Sequence, residues 1–188
     1  MGAYSFLTDQ QIEVLISCCG RPDAGNVLEA ELIDTHRLLL RTGQGLIVKL
    51  AVPIVVTGKR KGWAPTNKTA FDYAGVLRKA GPVAFDAKAR DTDSKSGYRF
   101  SHSHVRGHQW SALRMYESWG FVGFIFVGME EGGVVQRAAL VKPSWIPKGT
   151  GVDLRKCPLV GREANGFWPW HRLVITYDLW RYDDEVPG

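Results

Sequence analysis

The stretch Pro82-Val83-Ala84-Phe85-Asp86-Ala87-Lys88-Ala89 decides how the rest of the chain is read. It is apolar until two charges arrive two residues apart, and on a β-strand that spacing puts Asp86 and Lys88 on one face. Just before it, Thr69-Ala70-Phe71-Asp72-Tyr73-Ala74-Gly75-Val76-Leu77 is a second apolar run holding a single carboxylate. The turn Arg78-Lys79-Ala80-Gly81 joins the two as a hairpin. Carboxylates on neighbouring strands suit a hard divalent cation such as Mg²⁺, which takes oxygen ligands. A lysine beside that cation is placed to position or deprotonate a water for attack on a phosphodiester.

This is the D-x(n)-(D/E)-x-K arrangement of many metal-dependent nucleases. The triplet by itself also describes a strand end with a solvated salt pair, so the surroundings have to decide. Upstream, residues 8–19 read as a helix, with Thr8 and Gln11 at capping-box spacing and Ile12, Leu15, Ile16 and Cys19 on one stripe. A second helix is expected over 26–41, capped by Asn26, with Leu28, Leu32, Thr35 or His36, and Leu39 as its apolar face. Glu29, in its first turn, is either a capping residue or an acid pointing toward a site, while Glu31 is expected in solvent. Leu46 to Val56 reads as one buried strand, with Pro53 marking an edge or a bulge.

Residues 57–68, with Lys59, Arg60, Lys61, Trp63 and Lys68, form a basic, Gly- and Pro-bearing loop or projection. A run of this kind is usually solvated surface, but an embedded tryptophan also suits phosphate contact combined with base stacking. Downstream, a polar loop at 91–97 precedes a helix from His104 or Val105 to Trp119, then apolar strands at 121–128 and 134–141. The tail from 143 is rich in Pro, Gly and Trp, and Arg172 to Leu179 is expected as a last strand. The element order indicates an α/β or α+β domain around a mixed central sheet flanked by helices. There is no internal repeat or linker, so 1–188 is expected as a single domain.

Composition permits this reading without demanding it. The chain is long enough for one real core, burying roughly 70% of its unfolded surface. Hydrophobic residues make up 45% and charged residues 23%. No apolar run is long enough to span a membrane, and the N-terminus lacks the basic start and apolar core of a signal peptide. Three cysteines, two of them adjacent, are a poor disulfide framework and point to a reducing cytoplasm. A net charge of +5 allows a polyanionic partner. His102, His104 and His108 have a zinc-like H-x-H spacing plus a third histidine, but no cysteine or further histidine lies nearby to close a tetrahedral site. A His108-Gln109 pair on a helix beside a carboxylate strand is better suited to supporting that strand or touching DNA. There is no phosphate-binding G-x-x-x-x-G-K-[ST] loop and no G-x-S-x-G elbow.

Together the segments Gly25-Asn26-Val27-Leu28-Glu29, Ile47-Val48-Lys49-Leu50-Ala51-Val52-Pro53-Ile54, Phe71-Asp72-Tyr73-Ala74-Gly75-Val76, Phe85-Asp86-Ala87-Lys88, His108-Gln109 and Gly120-Phe121-Val122-Gly123-Phe124-Ile125-Phe126 occur in one order. From about residue 25 to 141 the chain resembles the RecU-type Holliday junction resolvases. The resemblance implies a restriction-endonuclease-like fold. It further implies that Asp72 and Asp86 bind metal, with the Ala87 carbonyl as a further ligand. Lys88 would orient water, Glu29 complete the acidic set, and Gln109 support it. Lys49 matches a basic position on the strand leading to the site. With His108 and the projection residues it forms the expected DNA-contacting set. The chain departs from the family in having Asp86 where Glu is usual, Ala70 and Phe71 where small hydroxyl residues are favoured, and a shorter projection between Pro53 and Asp72. A phage-encoded or otherwise divergent member fits these differences.

The expectation is therefore a homodimeric, Mg²⁺- or Mn²⁺-dependent endonuclease of the cytoplasm or nucleoid that nicks four-way DNA junctions symmetrically. Two rivals stand beside it. One is another nuclease of the same fold acting on duplex DNA; the other is a catalytically inert junction-binding architectural protein.

Overall fold

The computed structural model describes residues 8–21, 26–50, 54–57, 62–65, 69–146 and 150–176, with the backbone alone at 54–57, 62–65 and 95. In chain order the helices are α1 (Asp9–Cys18), α2 (Val27–Arg41), α3 (Gly107–Ser118) and α4 (Trp170–Thr176). The strands are β1 (Gly45–Lys49), β2 (Ile54–Thr57), β3 (Gly62–Pro65), β4 (Tyr73–Leu77), β5 (Gly81–Asp91), β6 (Arg99–Ser101), β7 (Val122–Glu131), β8 (Val134–Val141), β9 (Gly151–Asp153) and β10 (Leu159–Gly161). The main sheet has the order β1-β4-β5-β7-β8-β10. Its pairs are antiparallel except β5–β7, which run parallel through the intervening helix α3. This is the expected mixed sheet flanked by helices.

Local chemistry explains the helix starts. Thr8 and Gln11 close the capping box of α1, and the Asn26 side chain accepts from the Glu29 N–H at 3.0 Å to cap α2. The stripe expected on α2 is buried, with Leu28, Leu32, Thr35, His36 and Leu39 all turned inward. β7 is buried on both faces and so reads as an unbroken apolar run. Phe124 and Phe126 join α2 and the chain's last segment on one side, while Ile125, Val127 and Met129 join α3 and Trp145 on the other.

The β4–β5 hairpin forms as expected, with Gly81 at φ +80° in the turn. At Gly75 the sheet has no room for a side chain: an added Cβ would lie 2.0 Å from the Leu46 carbonyl oxygen of β1.

Three expectations are corrected. The single strand over 46–56 is two strands in different sheets. The β1–β4 ladder ends at Lys49–Tyr73, closed by the Leu50 N–H bond to the Asp72 carbonyl at 2.8 Å, and Ile54–Thr57 pairs instead with β3. Within the stretch 57–68 expected as a loop or irregular projection, Thr57 and Gly62–Pro65 instead belong to two paired antiparallel strands, as β-branched Ile54, Val55, Val56 and Thr57 favour. Pro53, Lys59, Arg60, Lys61 and Lys68 lie outside the described residues, and of Trp63 only the backbone is described. The terminal strand expected from Arg172 is helix α4, because Trp170 and Val174, four apart, insert together into the core.

Candidate active site

The site is built around β5. Phe85 enters the core on the α2 side, so alternation turns Asp86 toward α3, where it is fully buried. Lys88, next on the same face, forms an ion pair with Asp86 and lies 3.8 Å from a carboxylate oxygen of Asp72. Asp72 stands immediately before β4. Because Tyr73 pairs with Phe85, Asp72 comes opposite Asp86 across the hairpin, and its Oδ2 accepts from the Ala87 N–H at 3.1 Å. Gln109, in the first turn of α3, donates from Nε2 to Asp86 Oδ1 at 2.5 Å and reaches Asp72 Oδ1 at 3.5 Å. Asp72, Asp86, Lys88 and Gln109, all expected from the sequence, thus form one connected cluster.

Burial, and next the hydrogen bond and negative charge of Asp72, push the Asp86 carboxyl up to about 7, against the pull of Lys88. Two carboxylates so placed create a demand for positive charge. Among the described residues no three His, Cys, Asp or Glu side chains cluster as a metal site. Mg²⁺ is, however, commonly held by one or two carboxylates, with water and substrate phosphate supplying the rest. Asp72 and Asp86 supply the two carboxylates of that donor set.

A cavity of about 200 Å³ opens in front of the cluster, lined by Glu29, Lys49, Asp72, Ala87 and Lys88. Glu29 is buried there as the acid pointing toward the site, but it is ion-paired with Lys49 rather than joined to the two aspartates. Lys49 also approaches the Arg21 carbonyl oxygen at 3.4 Å. His108 stands half-exposed beside Gln109 at the start of α3. His102 packs on Trp110 at 4.5 Å, and the His104 Nδ1 accepts from the Ser101 N–H at 2.9 Å.

Arg90 belongs to no motif in the sequence. It continues the face of Asp86 and Lys88 by one more alternation, so the strand period alone could have found it, and its positive charge acts on His104. Glu31 corrects another expectation. Instead of facing solvent, it accepts from Arg162 at 2.5 and 2.9 Å and from the Trp168 indole N–H at 3.0 Å, tying α2 to the chain's last segment.

The sheet order and helix placement are those of a restriction-endonuclease-like α+β fold, with an aspartate pair and a lysine gathered at one end of its central hairpin. Residues 23–135 match the family model described as RecU: Recombination protein U, and that match takes in more than half of the chain and every element of the cluster. The protein belongs to the RecU family, the Holliday junction resolvases of recombination. No curated protein sequence matches it.

Proposed function

We propose that the protein is a divalent-metal-dependent endonuclease that nicks four-way DNA junctions symmetrically as a homodimer. The observation that carries this reading is the convergence of Asp72 and Asp86 with Lys88 beside an open cavity. Asp72, Asp86 and the Ala87 carbonyl would hold Mg²⁺ or Mn²⁺, which supplies Lewis-acid stabilisation of charge on the scissile phosphate. Lys88 donates toward the attacking water or the developing phosphate charge. Gln109 and the Ala87 N–H fix the orientation of the two carboxylates. On the far wall, Lys49 meets the phosphate backbone while Glu29 holds its ammonium in place. A two-fold symmetric substrate calls for two such sites related by a two-fold axis, which is the physical reason for a dimer. Lys59, Arg60, Lys61, Trp63 and Lys68 of the basic stretch 57–68, with His108, are assigned to gripping junction arms.

The deciding experiment maps cleavage of a labelled four-way junction against linear duplex of the same sequence, with Mg²⁺ and with EDTA. Paired nicks at symmetry-related positions in the junction, lost in EDTA and in Asp72→Asn, are expected. Equal cutting of the duplex would favour a duplex nuclease, and binding without cutting would favour an architectural protein.

A further inference from the structure

At the far end of the sheet from the aspartate cluster, the β4–β5 turn, the end of α2 and α4 enclose a cavity of about 380 Å³. Arg78, Lys79, Arg172 and His171 line it, and among the described residues no acidic side chain does. Arg78 and Lys79 have no acidic partner among the described residues, while Arg172 has only Glu163, at 3.4 Å and outside the lining. His171 is almost fully buried, yet its Nδ1 has no hydrogen-bond partner. Burial, and next the Arg172 charge, hold its imidazole down at about 4, so the ring is neutral near pH 7 and offers a hydrogen bond rather than a fourth charge.

A helix C-terminus would normally repel an anion, because its last carbonyls are unsatisfied. Here three of the last four carbonyls of α2 are already taken. The Leu38 oxygen accepts from both the N–H and the hydroxyl of Thr42, Leu40 from the Gly43 N–H, and Leu39 from the Gln44 N–H. The Gln44 carbonyl in turn accepts from the Arg78 N–H at 2.8 Å, which fixes the cationic turn against the helix. The result is a preformed concavity with three guanidinium or ammonium groups and one neutral imidazole. That is the chemistry of a phosphate ester site.

We infer that this cavity binds a backbone phosphate of DNA at a distance from the scissile one. The inference rests on the junction-nuclease reading for its choice of source, since a free phosphate would meet the same groups. From Gly81 at the turn to Lys88, β5 advances roughly 23 Å at about 3.3 Å per residue. Along a duplex axis that is about seven base pairs. The cavity and the aspartate cluster are thus far enough apart to touch different parts of one bound DNA.

The test uses the full chain in EDTA, with amine-labelling of Lys79 read by mass spectrometry. The probes are a four-way junction, a linear duplex and inorganic pyrophosphate. Several-fold protection of Lys79 by DNA is expected. In the triple variant Arg78→Ala, Lys79→Ala, Arg172→Ala, all at exposed positions, the log–log salt slope of junction binding should flatten by about 0.9 for each phosphate no longer neutralised. Its cleavage rate at saturating enzyme with Mg²⁺ should match the unaltered protein. Bound junction with Lys79 unprotected and an unchanged slope would overturn the site. Protection by pyrophosphate but not by DNA would overturn the DNA source in favour of a free phosphate ligand. Lys79 protection together with no cleavage of any DNA would uphold the cavity while removing the nuclease reading.

Discussion

Asp86 combines three properties that seldom coincide in a carboxylate: full burial, a like-charged neighbour, and a lysine and an amide bonded to its two oxygens. Burial and the neighbouring Asp72 make the Asp86 carboxyl hold a proton to higher pH than a free carboxylate would. A cation arriving there favours the carboxylate, so binding Mn²⁺ at pH 6 should release protons. Calorimetry in buffers of different ionisation enthalpy measures this directly. Asp86→Asn should abolish both the proton release and DNA cleavage, with little change in junction affinity. Release undiminished in that variant would mean that another group titrates. The pairing of Asp86 with Lys88 was legible from the strand period alone, because a spacing of two leaves no choice of face. The pairing of Glu29 with Lys49 was not, since it depends on how α2 lies across β1.

At the level of elements, α3 meets the aspartate cluster at one end and a buried carboxyl at the other. Gln109 in its first turn touches the aspartates, while Glu117 in its last turn is almost buried beside Ser144 and 3.9 Å from Arg114. Burial, only partly offset by Lys142 and Arg114, raises the Glu117 carboxyl to about 7 from 4.5. A carboxyl raised in the folded state is deprotonated first in the unfolded chain. Its contribution is therefore fully present below about pH 4.5 and is lost as pH climbs to about 7. At about 1.4 kcal/mol per unit this amounts to roughly 3 kcal/mol. Glu117→Gln should remove that share, which urea unfolding at pH 5 and pH 8 would reveal as a smaller difference between the two. An unchanged difference would show that Glu117 stays solvated enough to ionise freely.

Across the whole molecule, the segment after β8 is part of the core. Trp168 and Trp170 are fully buried beside Phe85, Phe124 and Phe126 of the main sheet. A chain ending at Lys142 would leave that face of the sheet open, and it should lose cooperative thermal unfolding. Trp168→Ala should cost about 3–5 kcal/mol, the range for removing a large buried ring. A truncated chain with a sharp transition would show that the last segment is an independent addition. None of this was legible in advance. Arg162 meets Glu31 across 131 residues of sequence, and Val174-Ile175-Thr176 has the β-branched composition of a strand. What places α4 is the pair of tryptophans seeking the sheet, a contact that no local pattern encodes.

Gly75 shows how such distant constraints reach the cavity. With any side chain there, the Leu46 carbonyl oxygen and the Ile47 Cα of β1 would have to retreat from β4. Lys49 at the end of β1 and Asp72 immediately before β4 both line the cavity at the end of that same ladder, with Glu29 of α2 paired to Lys49. One missing methyl group therefore acts as the spacer gauge of the cleft. Under the proposed function, the gap that would take a phosphodiester is set by a residue that does not line it, and widening the site for a bulkier substrate would begin at Gly75 rather than at any charged group.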